Sequence, residues 1–209
     1  MKEILLVYGH ALSRHMVSDL IQAERAMCLA DEAASVHEAI TKSRQRKFDM
    51  VVLDISGPEK NGLEIFCDFK QASPGMPVLV INGSDQIARI VHFIRLGCDG
   101  YLPYTATSKQ VILAIRALAS GQHYGMLNMG DIAEKSSRMP HECLSMRELQ
   151  ILLKLIKGQP VNAVAEELSI APSSVSVFRS KILKKMRVSN NAALIHYALD
   201  HYLTPYRQH

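Results

Sequence analysis

The feature that most constrains this chain is a repeated alternation, over its first 120 residues, of short β-rich apolar runs with longer stretches of helical period. Ile4 to Val7 is an apolar run, and Leu12, Met16, Leu20 and Ile21 then recur at helical spacing. Cys28 to Ala30 is a weaker strand signal, followed by a helical segment from Val36 to Gln45. The third unit is the clearest: Met50 to Asp54 reads as a fully buried strand, Ser56 to Gly62 as a turn, and Leu63 to Gln71 as a helix. Pro77 to Ile81 predicts a fourth strand, with Ile87, Ile90, Val91 and Ile94 as the inward stripe of its helix. Tyr101-Leu102 and Val111 to Ala119 complete a fifth unit. Five βα units predict an α/β fold: a five-stranded, doubly wound parallel sheet of flavodoxin-like type, with helices on both faces.

The pattern stops between Gly121 and Pro140, where Gly, Asn, Asp, Ser and Met follow one another without an apolar stripe. Beyond His141 the signals are helical only. Leu149, Leu152, Leu153 and Ile156 mark one helix ending at Gly158, Pro160 suits the first turn of the next, and Val164, Ala165 and Leu168 are its inward side. The expected division is residues 1–122 as the sheet domain, 123–140 as linker and 141–209 as an all-α domain. Charge divides along the same line. His141 to His209 holds nine Lys+Arg against five Asp+Glu, while the preceding residues hold fifteen of each, so the whole formal charge of +4 lies in the last third. That asymmetry suits a module facing an acidic polymer. Apolar runs are a few residues long, against the roughly 20 of a membrane helix. With no signal-peptide pattern at the start, a cytoplasmic protein with no membrane partner is expected. Cys28, Cys67, Cys98 and Cys143 lack the spacing of metal ligands and read as buried free thiols. No metal and no cofactor are expected.

Asp54 ends the most hydrophobic strand, directly before turn chemistry. Ligands gather at the carboxyl ends of parallel strands, and an acid there is either solvated, satisfied locally or used in chemistry. The order Val51-Val52-Leu53-Asp54-Ile55-Ser56-Gly57-Pro58, then Asn61-Gly62-Leu63-Glu64, then Gly97-Cys98-Asp99-Gly100-Tyr101-Leu102 resembles the receiver domain of bacterial response regulators across Lys2 to Gln122. The resemblance implies Asp54 as the equivalent of a phosphoryl acceptor, and equally implies that its supports are gone. Tyr8 and Gly9 stand where the family holds Mg²⁺ with two acids, Asn82 (followed by Gly83) where it has Ser or Thr, and Tyr104 where it has Lys. Phosphoryl transfer needs a held metal and cations on the equatorial oxygens. The expectation is a degenerate pocket of Tyr8, Gly9, Asn82 and Tyr104 around an unused Asp54. Glu59 and Ser84 remain as substitute ligands or donors, and a local bond to backbone or Lys60, or a small ligand, remains open for Asp54. Tyr101 occupies the family's switch position without its Ser/Thr partner, which implies a packed, non-switching ring.

The run Leu144-Ser145-Met146-Arg147-Glu148-Leu149, Gly158, Val164 to Val175, Arg179 and Ile182 to Met186 resembles the LuxR-type (NarL/FixJ) helix-turn-helix. Ser173 or Ser174 is the expected cap of a helix whose core face is Val175, Phe178, Ile182 and Met186. The DNA-contacting set is Ser173, Ser174, Ser176, Val177, Arg179, Ser180, Lys181, Lys184 and Lys185: hydroxyls and an arginine for base edges, lysines for phosphates. Of the last helix, Leu194, Ile195, Ala198, Leu199 and Tyr202 are expected to face the core. Ala193, Tyr197 and His201 form a second stripe that the family resemblance makes a dimer contact on DNA. The reading is a two-component, DNA-binding transcription regulator and no enzyme, acting on double-stranded DNA as a homodimer and controlled independently of aspartyl phosphorylation. The alternatives are a phosphorylation-responsive regulator using Asp54, or a signalling adaptor whose receiver binds a partner protein.

Overall fold

Each apolar run forms a strand in the computed structural model, which describes residues 1–56, 61–125, 139–201 and 203. The elements of the first part are β1 (Lys2–Val7), α1 (Ala11–Gln22), β2 (Met27–Ala33), α2 (Val36–Gln45), β3 (Met50–Asp54), α3 (Gly62–Ala72), β4 (Val78–Gly83), α4 (Ile87–Arg95), β5 (Gly100–Pro103) and α5 (Ser108–Ala119). All neighbouring strands run parallel, in the order β2-β1-β3-β4-β5. Alternation in the central strands decides which helices cover which face. Ile4, Leu6, Met50, Val52, Leu79 and Ile81 join Val17 and Ile21 of α1 with Val111, Ile115 and Leu118 of α5 in one buried cluster. The intervening Leu5, Val51, Leu53 and Val80 point the other way and are equally buried. On the far side, Phe66 of α3 meets Phe93 of α4 edge to face at 5.3 Å, and Phe93 in turn lies 5.1 Å from Tyr101 of β5.

Side-chain caps explain several helix starts. Ser35 accepts from Glu38 N–H, Asn61 from Leu63 N–H, and Thr107 with Gln110 closes a capping box.

The chain divides into two units, Met1–Ser136 and Ser137–His209. Most of the expected linker, together with Gly57, Pro58, Glu59, Lys60 and Tyr202, lies outside the described residues. The second unit begins with a 3-10 turn, Pro140–Cys143, and continues with α6 (Met146–Leu155), α7 (Val161–Glu167), α8 (Pro172–Met186) and α9 (Asn191–Asp200). Ser145 and Glu148 form a reciprocal capping box on α6, and Gly158, at φ 79°, takes the left-handed conformation that ends its last turn.

Two helix starts differ from expectation. Ala171, not Ser173 or Ser174, is the N-cap of α8, because Pro172 occupies the first helical position, where its fixed φ fits and its missing N–H costs nothing. Pro160 sits one position before its helix, as the N-cap of α7. The thiols divide: Cys67 and Cys98 are buried, Cys28 is half-buried and Cys143 is exposed. Among the described residues no helix is long and apolar enough to cross a membrane.

Candidate functional sites

Because β1 lies between β2 and β3, the chain reverses its direction of winding there, and the carboxyl ends of β1 and β3 border the crevice where open α/β sheets place ligands. Asp54 closes β3 at that point and is 3% exposed. Its carboxylate is already occupied. Ser13, in the first turn of α1, donates its hydroxyl to Oδ2, and the Ser56 N–H donates to Oδ1 at 2.9 Å. The Ser13 oxygen also lies 2.9 Å from the His10 carbonyl, but its single proton favours the charged acceptor. Local backbone thus supplies one partner, as expected. The other comes from a residue 41 positions away that sequence reading passed over.

Beside the acid, Tyr8 follows β1 with its N–H bonded to the Ala33 carbonyl, and the Arg14 guanidinium lies 5.2 Å from its ring centroid. Arg14 is paired with Glu32 through Nε at 2.6 Å, which holds the guanidinium firmly charged. Among the described residues this set does not suit a divalent cation: one carboxylate already bonded, a phenol, a glycine and an arginine–glutamate ion pair.

Asn82 has φ 56° inside β4, where the register to β5 shifts between Val80 and Gly83. This left-handed position suits Asn, which tolerates it, and disfavours a β-branched Thr. Asn82→Thr is expected to destabilise the first unit by about 1–2 kcal/mol, measured by urea unfolding. Tyr104 is 64% exposed, and its N–H bonds the Gly83 carbonyl.

Tyr101 is buried, its hydroxyl donating to the Ser84 carbonyl at 2.9 Å, and burial holds the phenol above its ordinary pKa. The ring occupies the space in front of Gly83: a Cβ there would overlap the Tyr101 hydroxyl and Cζ. Gly83→Ala should therefore cost about 1–3 kcal/mol by overpacking, with the loss reduced when Tyr101 is shortened to Leu in the same chain.

In the second unit α7, a turn with Ser169 at φ 52°, and α8 make the helix-turn-helix. Val175, Ile182 and Met186 are buried and Phe178 half-buried, as the period predicts. Ser173, Ser176, Val177, Ser180, Lys181, Lys184 and Lys185 are exposed, and Ser174 is partly so. Two of the expected DNA contacts reach other helices of the unit. Arg179 donates from Nε to Asn191 Oδ1 at 2.7 Å, tying α8 to α9, and Lys185 bridges to Glu148 at 2.6 Å. Burial acts to raise the Glu148 carboxyl, but Lys185 and the Ser145 bonds outweigh it and hold it below its ordinary range. Lys181 rests over the Phe178 ring at 5.8 Å.

Protein-family models match both parts: the response regulator receiver domain over residues 4–116 and the bacterial regulatory proteins of the luxR family over residues 142–198. The transcriptional regulatory protein UhpA of Salmonella typhimurium is 30% identical over 94% of this chain and 97% of its own. This chain is a two-component response regulator with a luxR-family C-terminal domain. The response regulator UvrY of Escherichia coli is 28% identical over 96% of this chain and 95% of its own. In fold, the regulator is similar to RcsB of Salmonella enterica serovar Typhimurium bound to promoter rprA in the presence of the phosphomimetic BeF3⁻. There the TM-score is 0.62 at 16% identity, covering 94% of this chain and 98% of that one.

In the regulator's last helix two members of the expected dimer stripe, Tyr197 and His201, are partly buried and packed within the unit: the Tyr197 hydroxyl and His141 Nδ1 share a hydrogen bond of 2.8 Å, and the three rings lie 4.2 to 5.9 Å apart. His141 was not singled out in the sequence, since nothing in its spacing points to a residue 56 positions away. Leu194 and Ala198 are buried as expected, whereas Leu199, expected inside, is 56% exposed. The error is one of phase: Leu199 lies about 100° beyond Ala198 around the helix, past the edge of the core stripe.

Proposed function

We propose that this regulator binds double-stranded DNA through α8, as a homodimer, and controls transcription without aspartyl phosphorylation. The observation that carries the second part is the occupied carboxylate. Asp54 is buried and held by Ser13 and Ser56, while Tyr8 and Gly9 stand where acids would have to attract a metal, and Arg14, over the Tyr8 ring, is paired with Glu32. An incoming phosphoryl group would find its acceptor oxygens bonded and no lysine to balance its charge, since Tyr104 stands at that position. Incubation with Mg²⁺ and acetyl phosphate, followed by intact mass, is expected to show unmodified protein. A stoichiometric gain of one phosphoryl group that is lost in Asp54→Asn overturns the reading.

DNA binding is supported by the exposed hydroxyls and lysines of α8 and by the luxR-family match. It comes also by likeness to RcsB, whose structures include complexes with DNA. For the dimer, the inward turn of Tyr197 and His201 leaves the exposed side of α9, with Leu199 on it and Ala193 at its edge, as the surface for a second copy. Leu199→Glu should abolish the two-protomer complex on DNA, and Tyr197→Phe should not. A mobility shift with genomic fragments separates this reading from that of an adaptor, which would leave the fragments unshifted.

A further inference from the structure

The side of α8 that would enter the groove is chemically unusual in what it lacks. Ser173, Ser176, Val177 and Ser180 are exposed within its first three turns, where helix-turn-helix proteins approach base edges. Lys181 and Lys184 come later along the helix, and Arg179, the residue type best suited to guanine, turns its Nε toward Asn191. The serines are also committed. Ser176 donates its proton to the Pro172 carbonyl at 3.1 Å, and Ser180 donates to the Ser176 carbonyl at 3.1 Å. A hydroxyl has one proton and two lone pairs, so each of these presents only acceptors to anything approaching from outside. Between them lies Val177, 56% exposed, the one large apolar side chain exposed on α8. An isolated surface valine is ordinary; one flanked by acceptors on a groove-facing helix has a matching chemistry.

In the major groove guanine presents acceptors alone, adenine and cytosine each present an amine donor, and thymine presents a methyl. Acceptors facing guanine would leave both sides without a proton. We propose that Val177 reads a thymine C5-methyl, and that Ser176 and Ser180 accept from adenine or cytosine amines beside it. The helix thereby selects thymine next to an amine-bearing base and rejects guanine on the contacted edge. This deepens the DNA-binding reading above and rests on it.

The test selects duplexes from a random library with the full-length protein. It then resynthesises the best-bound duplex with deoxyuridine replacing each thymine in turn, which removes only the methyl. At one thymine in each half-site, uracil should weaken binding about fourfold, the worth of one buried methyl. In Val177→Ala, an exposed helical site where alanine is well tolerated, that difference should shrink below about twofold at the same position. The assignment fails if no thymine shows a uracil penalty, if the penalty is unchanged in Val177→Ala, or if guanine is required at the adjoining contacted positions. A library with no enrichment at low salt rejects the DNA-binding reading itself, and this assignment with it; enrichment without a uracil penalty rejects the assignment alone.

Discussion

Raising salt from about 50 to about 200 mM should weaken duplex binding by the dimer about a thousandfold. The figure follows from the cations that α8 leaves outward. Lys181, Lys184 and Arg187, the last one residue past α8, are exposed; Lys185 is exposed too but bridged to Glu148, and Arg179 is half-buried and bonded to Asn191. Three phosphate contacts per protomer make about six for the pair, and each neutralised phosphate releases nearly one counterion, which gives a log–log slope of about −5. Lys184→Ala removes one contact from each protomer and should flatten the slope by nearly 2 without changing which duplexes are preferred, because phosphate contacts carry no sequence information. Titrations by fluorescence anisotropy at graded salt measure both. A slope near zero would mean that α8 does not lie along a phosphate backbone.

Acidification from about pH 6.5 to 5 should cost the second unit about 2 kcal/mol, before most carboxylates begin to titrate. His141 is the cause. Burial, with the neighbouring His201 adding to it, lowers its pKa from 6.5 to about 4. The folded state therefore holds the ring neutral while the unfolded chain protonates it. The stabilising contribution is complete above the unfolded value of 6.5, declines as pH falls below it, and is gone once pH passes the folded value near 4. Urea unfolding at half-unit pH steps measures the slope, and His141→Gln should remove it from this window. Persistence of the full slope in that variant would place the linkage elsewhere.

The sheet domain was legible in the sequence because its strands are buried on both faces. Runs such as Met50 to Leu53 have no solvated alternative, and helical stripes between them leave a parallel order as the simplest solution. Helix starts governed by a side-chain cap, such as Ser35 and Thr107, also follow from local chemistry. Pairings between distant residues were harder to read. Ser13 reaches Asp54 only because β1 pairs with β3, Val7 opposite Leu53, which brings the first turn of α1 beside the end of β3. Local patterning does not show this neighbourhood; a hydroxyl in the first turn of α1 becomes a candidate partner for the acid only once the sheet's order is applied to it. Periodicity shows which side of a helix is apolar, not how far a long side chain bends back to a neighbouring helix, so the bonds from Arg179 to Asn191 and from Lys185 to Glu148 are not legible in it. The Tyr197 bond is hidden for the same reason, its hydroxyl reaching the 3-10 turn that precedes α6.

The fit of Tyr101 against Gly83 constrains the order in which mutations could accumulate here. A descendant that gained a methyl at position 83 while the phenol stayed in place would lose about 1–3 kcal/mol at once. One that first exchanged the aromatic for something smaller would pass through a loosened, yet viable, intermediate. Drift at these two positions is therefore directional: relatives that carry a side chain at position 83 should also differ at position 101, while the reverse need not hold.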